Sequence, residues 1–413
     1  MKLNAWTLSL VSAGLVTLPA VVHADEQTNA VLTALSSTTI SGYVDTSMQW
    51  NPGTGNQNLP TTSPNGAAGY KKADGFNLNV VSLTINHAPG EGDGWRAGYN
   101  ATLLFGPDAV GYNNSFGTTA NDFSLMDAYV ELVAPIGNGL DFKIGTFSQP
   151  LGYEVYQTGN NPNYTRSYGY EIEPTQLTGI IMSYKFCDLL SMSGGIANTW
   201  SAGVNNRASQ PEGNRSETYK TYFGSLTLTA PESLGFLAGS TLSGGVINGY
   251  NALIPSGSGG TTETSLYVGG NIKTPLKALT VGVAFDYAFL GQNNYDPLGL
   301  PHSSGFQYAG ALYLLLQATD KLSFNTRVDY LGQSSYIGPT SAGGFVLPGM
   351  NSFPGQSFAV TETIQYDLWK NVIARAEFRW DHACDGSQPW GGSTIQTTLD
   401  NEYMVALNFI YKF

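Results

Sequence analysis

The sequence predicts an all-β protein, a transmembrane antiparallel up-and-down β-barrel of about 16 strands, on three observations. The first is the final stretch, where Tyr403, Val405, Leu407, Phe409, Tyr411 and Phe413 take every second position and Ala406, Asn408 and Lys412 lie between them. Successive side chains of a strand point to opposite sides, so this stretch carries one continuous apolar face. The second is composition: 413 residues with 50 Gly, 24 Tyr and 19 Phe, yet only 12% charged. Ordinary chains carry roughly 25% charged residues and about 7% Gly, whereas a barrel wall needs aromatic girdles, tight turns and few charges facing lipid. The third is that short and long connections alternate, as they do when turns lie on one side of a membrane and loops on the other.

Period-two segments bounded by Gly, Pro, Asn and Asp clusters place strands at 38–50, 75–87, 94–105, 124–135, 139–147, 176–186, 189–199 and 219–229. They continue at 236–249, 263–273, 278–290, 304–317, 322–331, 356–368, 371–383 and 399–413. In 278–290, Leu279, Val281, Val283, Phe285, Tyr287 and Phe289 share a face opposite Thr280, Gly282, Ala284, Asp286 and Ala288. Trp95 to Phe105 and Phe306 to Leu316 repeat the alternation. Val80-Val81 breaks it and predicts a β-bulge, and Glu362 falls against the pattern, in phase with Phe358, Val360 and Ile364. Closure into a barrel removes the open edges of such a sheet and satisfies every backbone group in lipid. Sixteen strands leave room for an aqueous interior.

Ahead of the strands, Lys2, the apolar run Leu8 to Val16 and the small-residue site Val22-His23-Ala24 read as a signal peptide, residues 1–24, cleaved on export. Residues 25–37 then form a short periplasmic segment. The apolar run falls short of the about 20 residues a helical span needs. Cleavage leaves 17 basic against 30 acidic residues, which disfavours nucleic acid as a partner. The expected location is the bacterial outer membrane, with its lipid and the barrel-assembly machinery as partners. Terminal Phe413 is the expected assembly signal.

Nothing in the chain supports enzymatic chemistry. The four His are His23, His87, His302 and His382; no nucleophile motif accompanies His382, and no spacing supports a metal site or a cofactor. Cys187 falls in a short turn and Cys384 at the opposite end of a strand, roughly 25 Å or more apart across the apolar band, so two unpaired thiols are expected.

Two stretches carry a family resemblance. Gly145-Thr-Phe-Ser-Gln-Pro-Leu-Gly-Tyr-Glu154, followed by Asn161-Pro-Asn-Tyr-Thr-Arg-Ser-Tyr168 and Glu173-Pro174 with Gly179, is the first; Tyr366-Asp-Leu-Trp-Lys-Asn-Val-Ile-Ala-Arg-Ala-Glu-Phe-Arg-Trp-Asp381 is the second. Both resemble the beta-barrel porin-2, OmpL-like family of outer-membrane porins, over residues 37–413. The resemblance implies a porin and carries no catalytic residue or assigned substrate. The expected function is a passive diffusion channel for ions and small hydrophilic solutes, with a homotrimer expected by analogy with other sixteen-stranded porins. A closed structural or adhesive surface barrel and a secreted glycan-binding β-protein are the competing readings.

Site residues are expected in two places. Loop 148–175, between the fifth and sixth strands, holds Glu154, Arg166, Glu171 and Glu173 among several tyrosines. Folded into the lumen it forms a constriction with a mild cation preference, because acidic rings favour cations; folded outward it caps the barrel. Arg375, Glu377, Arg379 and Asp381 share one face of their strand, joined by Arg327 and Asp329 on a neighbouring one. Burying Arg against lipid costs roughly 2–4 kcal/mol, so this face belongs to the lumen. There it forms either a basic wall facing the acidic loop or a self-neutralising lattice.

Overall fold

The computed structural model describes residues 37–54, 74–111, 123–200, 203–205, 207, 219–251, 261–291, 305–334, 355–392 and 397–413. The expected signal peptide, the 25–36 part of the segment after it and His302 lie outside the described residues. Sixteen strands run in chain order: β1 (Thr39–Trp50), β2 (Gly75–His87), β3 (Arg96–Phe105), β4 (Phe123–Ala134), β5 (Leu140–Ser148) and β6 (Gln176–Lys185). Then follow β7 (Leu190–Ala197), β8 (Thr221–Thr229), β9 (Thr241–Asn251), β10 (Thr261–Lys273) and β11 (Leu279–Leu290). The last are β12 (Gly305–Gln317), β13 (Leu322–Gln333), β14 (Gln356–Trp369), β15 (Val372–Ala383) and β16 (Asn401–Lys412). Each pairs antiparallel with its neighbours in sequence, and β16 returns to β1, closing the barrel. A closed meander leaves no strand edge unpaired, the condition for crossing lipid without a helix. No helix among the described residues is long and apolar enough to cross a membrane.

Alternation decides which face is which. Along β16, Tyr403, Val405, Leu407, Phe409 and Tyr411 are exposed, while Met404, Ala406, Asn408 and Ile410 are buried. Val283, Phe285 and Phe289 of β11 likewise point outward, as do Leu312 and Leu314 of β12. This outward apolar surface surrounds an interior carrying Asp45, Asn79, Asn100, Glu263, Asp286, Arg327, Arg379 and Asn408, all buried. A polar interior under an apolar exterior inverts a soluble protein and matches a barrel solvated by lipid.

Three local departures have physical causes. The bulge lies at Asn79, where the register slips between the Asp45–Val80 and Thr46–Leu78 pairs, one residue before the expected Val80-Val81. Asn79 turns inward there, donating to Asp45 Oδ1 at 2.8 Å and accepting from Ser47 Oγ at 3.0 Å. β9 begins at Thr241 rather than 236, because Glu232–Leu237 forms a 3₁₀ turn around Gly235, whose φ of 61° no strand can follow. Glu362 does face outward: it sits in register with Thr326 and Phe378 and accepts a hydrogen bond from the Thr326 hydroxyl. Both cysteines are free and exposed.

The interior is chemically divided. Leu177, Ile181, Phe223, Ile247, Tyr267 and Ala284 project from β6 to β11 into one apolar cluster, whereas β13 to β16 present charges and amides. The segment joining β5 to β6 lies between these two sides.

Candidate functional site

Residues 149–175 run across the inside of the barrel. Leaving β5, Leu151 enters the apolar cluster and Tyr153 stacks on Tyr313 of β12, with ring centroids 4.1 Å apart, while its hydroxyl donates to Asn271 of β10 at 2.6 Å. Gly152, at φ 96°, lets the chain turn where a Cβ would meet the Glu173 carboxylate. The chain then doubles back: Tyr156 donates to the Asp108 carbonyl at 3.1 Å and joins Tyr43, Val80, Leu104 and Ile410, on the opposite wall. Asn161 braces this bend, accepting from Val155 N at 2.8 Å and donating to the Gln157 carbonyl at 3.2 Å. The return leg ends in one helical turn, α1 (Tyr168–Ile172), capped by Ser167, whose hydroxyl accepts from Tyr170 N at 3.2 Å.

The wall arginines hold this segment through its backbone. Arg327 Nη1 donates to the Thr165 carbonyl at 2.7 Å and to Glu154 Oε1 at 3.1 Å, Nη2 donates to the Arg166 carbonyl at 2.9 Å, and Nε pairs with Asp329 at 2.8 Å. Arg375 donates to the carbonyls of Thr158 at 2.9 Å and Asn161 at 2.6 Å. Arg379 donates to the Arg166 carbonyl at 2.7 Å and grips Asp381 through Nε and Nη2, at 2.8 and 2.7 Å. The acids complement them: Glu377 accepts from Tyr164 N and from Thr165 N at 2.9 Å, Asp329 from Tyr168 N at 3.2 Å, and Asp381 from the Tyr168 hydroxyl at 2.6 Å. Planar guanidinium forks suit this task because each spreads several donors over one rigid plane.

The expected sites therefore meet. Glu154, Arg166 and Glu173 are buried, as are Arg327, Asp329, Arg375, Glu377, Arg379 and Asp381. The wall and the segment touch, so the picture of a basic wall facing an acidic loop across open space is corrected: the charges that would have made a transverse field are bonded to one another and to backbone. Arg166 is an internal strut, donating to the carbonyls of Tyr156 at 2.7 Å and Tyr164 at 3.1 Å. Burial raises the Glu171 carboxyl well above its ordinary range, with Arg379 and Arg166 opposing the rise. Burial also raises Glu173, and the neighbouring Asp286 carboxyl, with which it shares a hydrogen bond, adds to the effect.

Sequence reasoning missed several participants. Tyr164 reaches Ser47 of β1 with its hydroxyl at 3.0 Å, and Asn163 reaches Thr363 of β14 at 2.7 Å, so the segment bonds to strands on both sides of β15 and β16. Asp286 and Glu402 were legible only as polar residues on the inner face of apolar strands. Among the described residues no three metal-ligating side chains converge. Phe413 forms the last rung of the β1–β16 seam, exchanging both backbone hydrogen bonds with Gly42 at 3.0 Å.

A closed sixteen-stranded barrel with an apolar exterior and a charged segment packed across its lumen is an outer-membrane channel protein of the porin type. The chain belongs to the beta-barrel porin-2, OmpL-like family, matched over residues 37–413. No curated protein matches it in sequence. Among solved structures it is similar to the outer membrane channel DcaP of Acinetobacter baumannii, at 12% identity, with 91% of this chain and 97% of that one covered and a TM-score of 0.56. It is also similar to an anion-selective porin from Comamonas acidovorans, at 13% identity, 91% and 99% coverage and a TM-score of 0.55. OmpF of Salmonella typhi, in complex with daunomycin, has 11% identity, 91% and 97% coverage and a TM-score of 0.54. At these identities the likeness concerns the fold.

Proposed function

We propose that the protein is a passive diffusion channel for ions and small hydrophilic solutes, mildly cation-preferring, whose path is set by segment 148–175. One observation carries the preference: among the described residues, eleven buried side chains carry carboxyl groups and only four carry guanidiniums. Two of the four guanidiniums, Arg327 and Arg379, are moreover ion-paired with Glu154, Asp329 and Asp381. The residual lumenal potential is negative, and fixed negative charge in a low-dielectric passage concentrates cations. In the same reading residues 1–24 are removed on export, Phe413 is recognised during assembly, and the barrels associate as trimers.

The test is the reversal potential of single channels in a planar bilayer across a salt gradient. It is expected on the cation side, moving toward anions in Glu171→Gln and Glu173→Gln. An anion-side value in the wild type, the behaviour named for the Comamonas relative, would refute the preference.

The inner wall also supports a second reading, a closed structural barrel. Arg327, Tyr313, Thr361 and Thr363 at mid-height are wholly buried, while Thr84, Glu131, Lys143 and Gln365 nearer the short turns are half-exposed. Absence of unit conductance in a folded, heat-modifiable preparation would favour that reading.

A further inference from the structure

Glu402 is singular inside this barrel. It is the second residue of β16, at the long-loop end, with its side chain on the inner face and 1% exposed. Among the described residues it is the one carboxyl group with both oxygens buried and without a hydrogen-bond partner. Its register partner on β15 is Asp381, and directly opposed side chains of neighbouring strands stand about 5 Å apart at Cβ. Asp381 as a carboxylate supplies no donor, and the bonds that Arg379 makes go to Asp381, through Nε and Nη2, and to the Arg166 carbonyl, through Nη1, with none reaching Glu402; the Tyr168 hydroxyl also serves Asp381. Glu402 thus lies beside a like-charged residue and in the field of a guanidinium committed elsewhere.

A buried carboxyl group without a donor is satisfied either by a proton of its own or by a donor that brings positive charge. A metal ion fits poorly, since no three ligating side chains converge among the described residues and the neighbouring Asp381 already accepts three hydrogen bonds. A primary ammonium suits the chemistry better: it brings a full charge and three N–H donors, and needs no coordination sphere.

We propose that Glu402 anchors a lumenal subsite for the primary-ammonium group of a permeating solute, with Asp381 opposite it on β15. The subsite lies toward the long-loop mouth, the side from which solutes arrive. Because Glu402 is buried, a solute reaches it only as the side chains around it give way, and access rests on the channel reading; binding does not require conduction.

The experiment is thermal unfolding of the purified barrel, followed by loss of heat-modifiable migration, in methylammonium chloride, sodium chloride and tetramethylammonium chloride at equal ionic strength. Methylammonium is expected to raise the midpoint saturably above both other salts, and Glu402→Gln to weaken the half-saturating concentration at least tenfold. Glu402→Lys places an ammonium at the subsite itself and is expected to assemble as the wild type does, without a methylammonium response. Equal wild-type midpoints in the three salts, a Gln variant that responds as before, or a Lys variant that fails to assemble would each overturn the proposal. In bilayers, methylammonium is expected to depress sodium current in the wild type and not in Glu402→Gln. A barrel that conducts nothing but shows the thermal shift would sink the channel reading and keep the subsite.

Discussion

Replacing Arg327 by Met keeps the length and apolar volume of the side chain and deletes its charge. The five N–H groups of the guanidinium reach six acceptors, one N–H of Nη2 being shared: four lie on the lumenal segment at Glu154, Thr165 and Arg166 and two on the wall at Asp329 and Thr361. Both members of the Arg327–Glu154 pair are at most 1% exposed. Removing one partner of such a buried pair costs about 3–5 kcal/mol, because the other charge stays buried and unpaired. The barrel ladder does not involve this side chain, so the cost falls on docking of the segment and raises its undocked population by roughly two to four orders of magnitude. Arg327→Met is therefore expected to keep heat-modifiable migration while open-channel current rises and becomes noisy and 149–175 becomes susceptible to limited proteolysis. Adding Glu154→Gln is expected to recover part of the loss, with a coupling energy of about 1 kcal/mol or more in a double-mutant cycle. Quiet wild-type conductance with a protease-resistant segment would refute the view that Arg327 latches it, as would strictly additive single effects.

Face assignment gives a second expectation: Val283→Arg, on the outer surface, should lose roughly 2–4 kcal/mol of barrel stability by urea titration, whereas Thr280→Arg, half-exposed on the inner face, should assemble normally. Wild-type stability of both would show the register of β11 to be wrong. A third concerns pH. Glu171 and Glu173 have folded-state values raised above the ordinary 4.5, so the docked segment binds more protons than the undocked one, and docking weakens as pH rises above about 4.5. Channel noise and cation preference should both grow from pH 5 to pH 8, and Glu171→Gln/Glu173→Gln should flatten the trend; a flat wild-type profile would count against buried, proton-holding carboxyls. Finally, deletion of Phe413 should lower the yield of inserted barrel in cell fractionation, and undiminished insertion would reduce that residue to one rung of the seam.

Strand positions were legible because lipid enforces alternation at each position of a wall, and β2 matches the expected 75–87 at both ends. The misplaced start of β9 shows the limit: Leu234 and Phe236 alternate like strand residues, but they are exposed apolar groups on a short-turn 3₁₀ segment. The charged residues of the site were legible one by one, since a charge on an apolar strand has only the lumen to face. Their pairing was not legible. Arg327 donates to the backbone of residues 161 and 162 positions away, and carbonyl acceptors carry no side-chain signature. Ala284 is the sharpest case, small enough to suit a water-lined wall yet packed in the interior apolar cluster, so no charge is tolerable there.

The lumenal segment bonds on both sides of the seam, to Ser47 of β1 through Tyr164 and to Lys412 of β16 through the Gly159 carbonyl. That seam joins residues 363 positions apart, for which the entropy of ring closure alone is about 5 kcal/mol by the (3/2)RT ln n relation. Strands β1 to β6 can gather early around the segment between them, but Arg327, Arg375 and Arg379 arrive only with the last quarter of the chain. Sealing the wall and desolvating those guanidiniums against the segment then become one event, late and shared. Substitutions at the latch should accordingly register as slow assembly before they register as leak, with half-closed intermediates accumulating while the finished barrel remains kinetically durable.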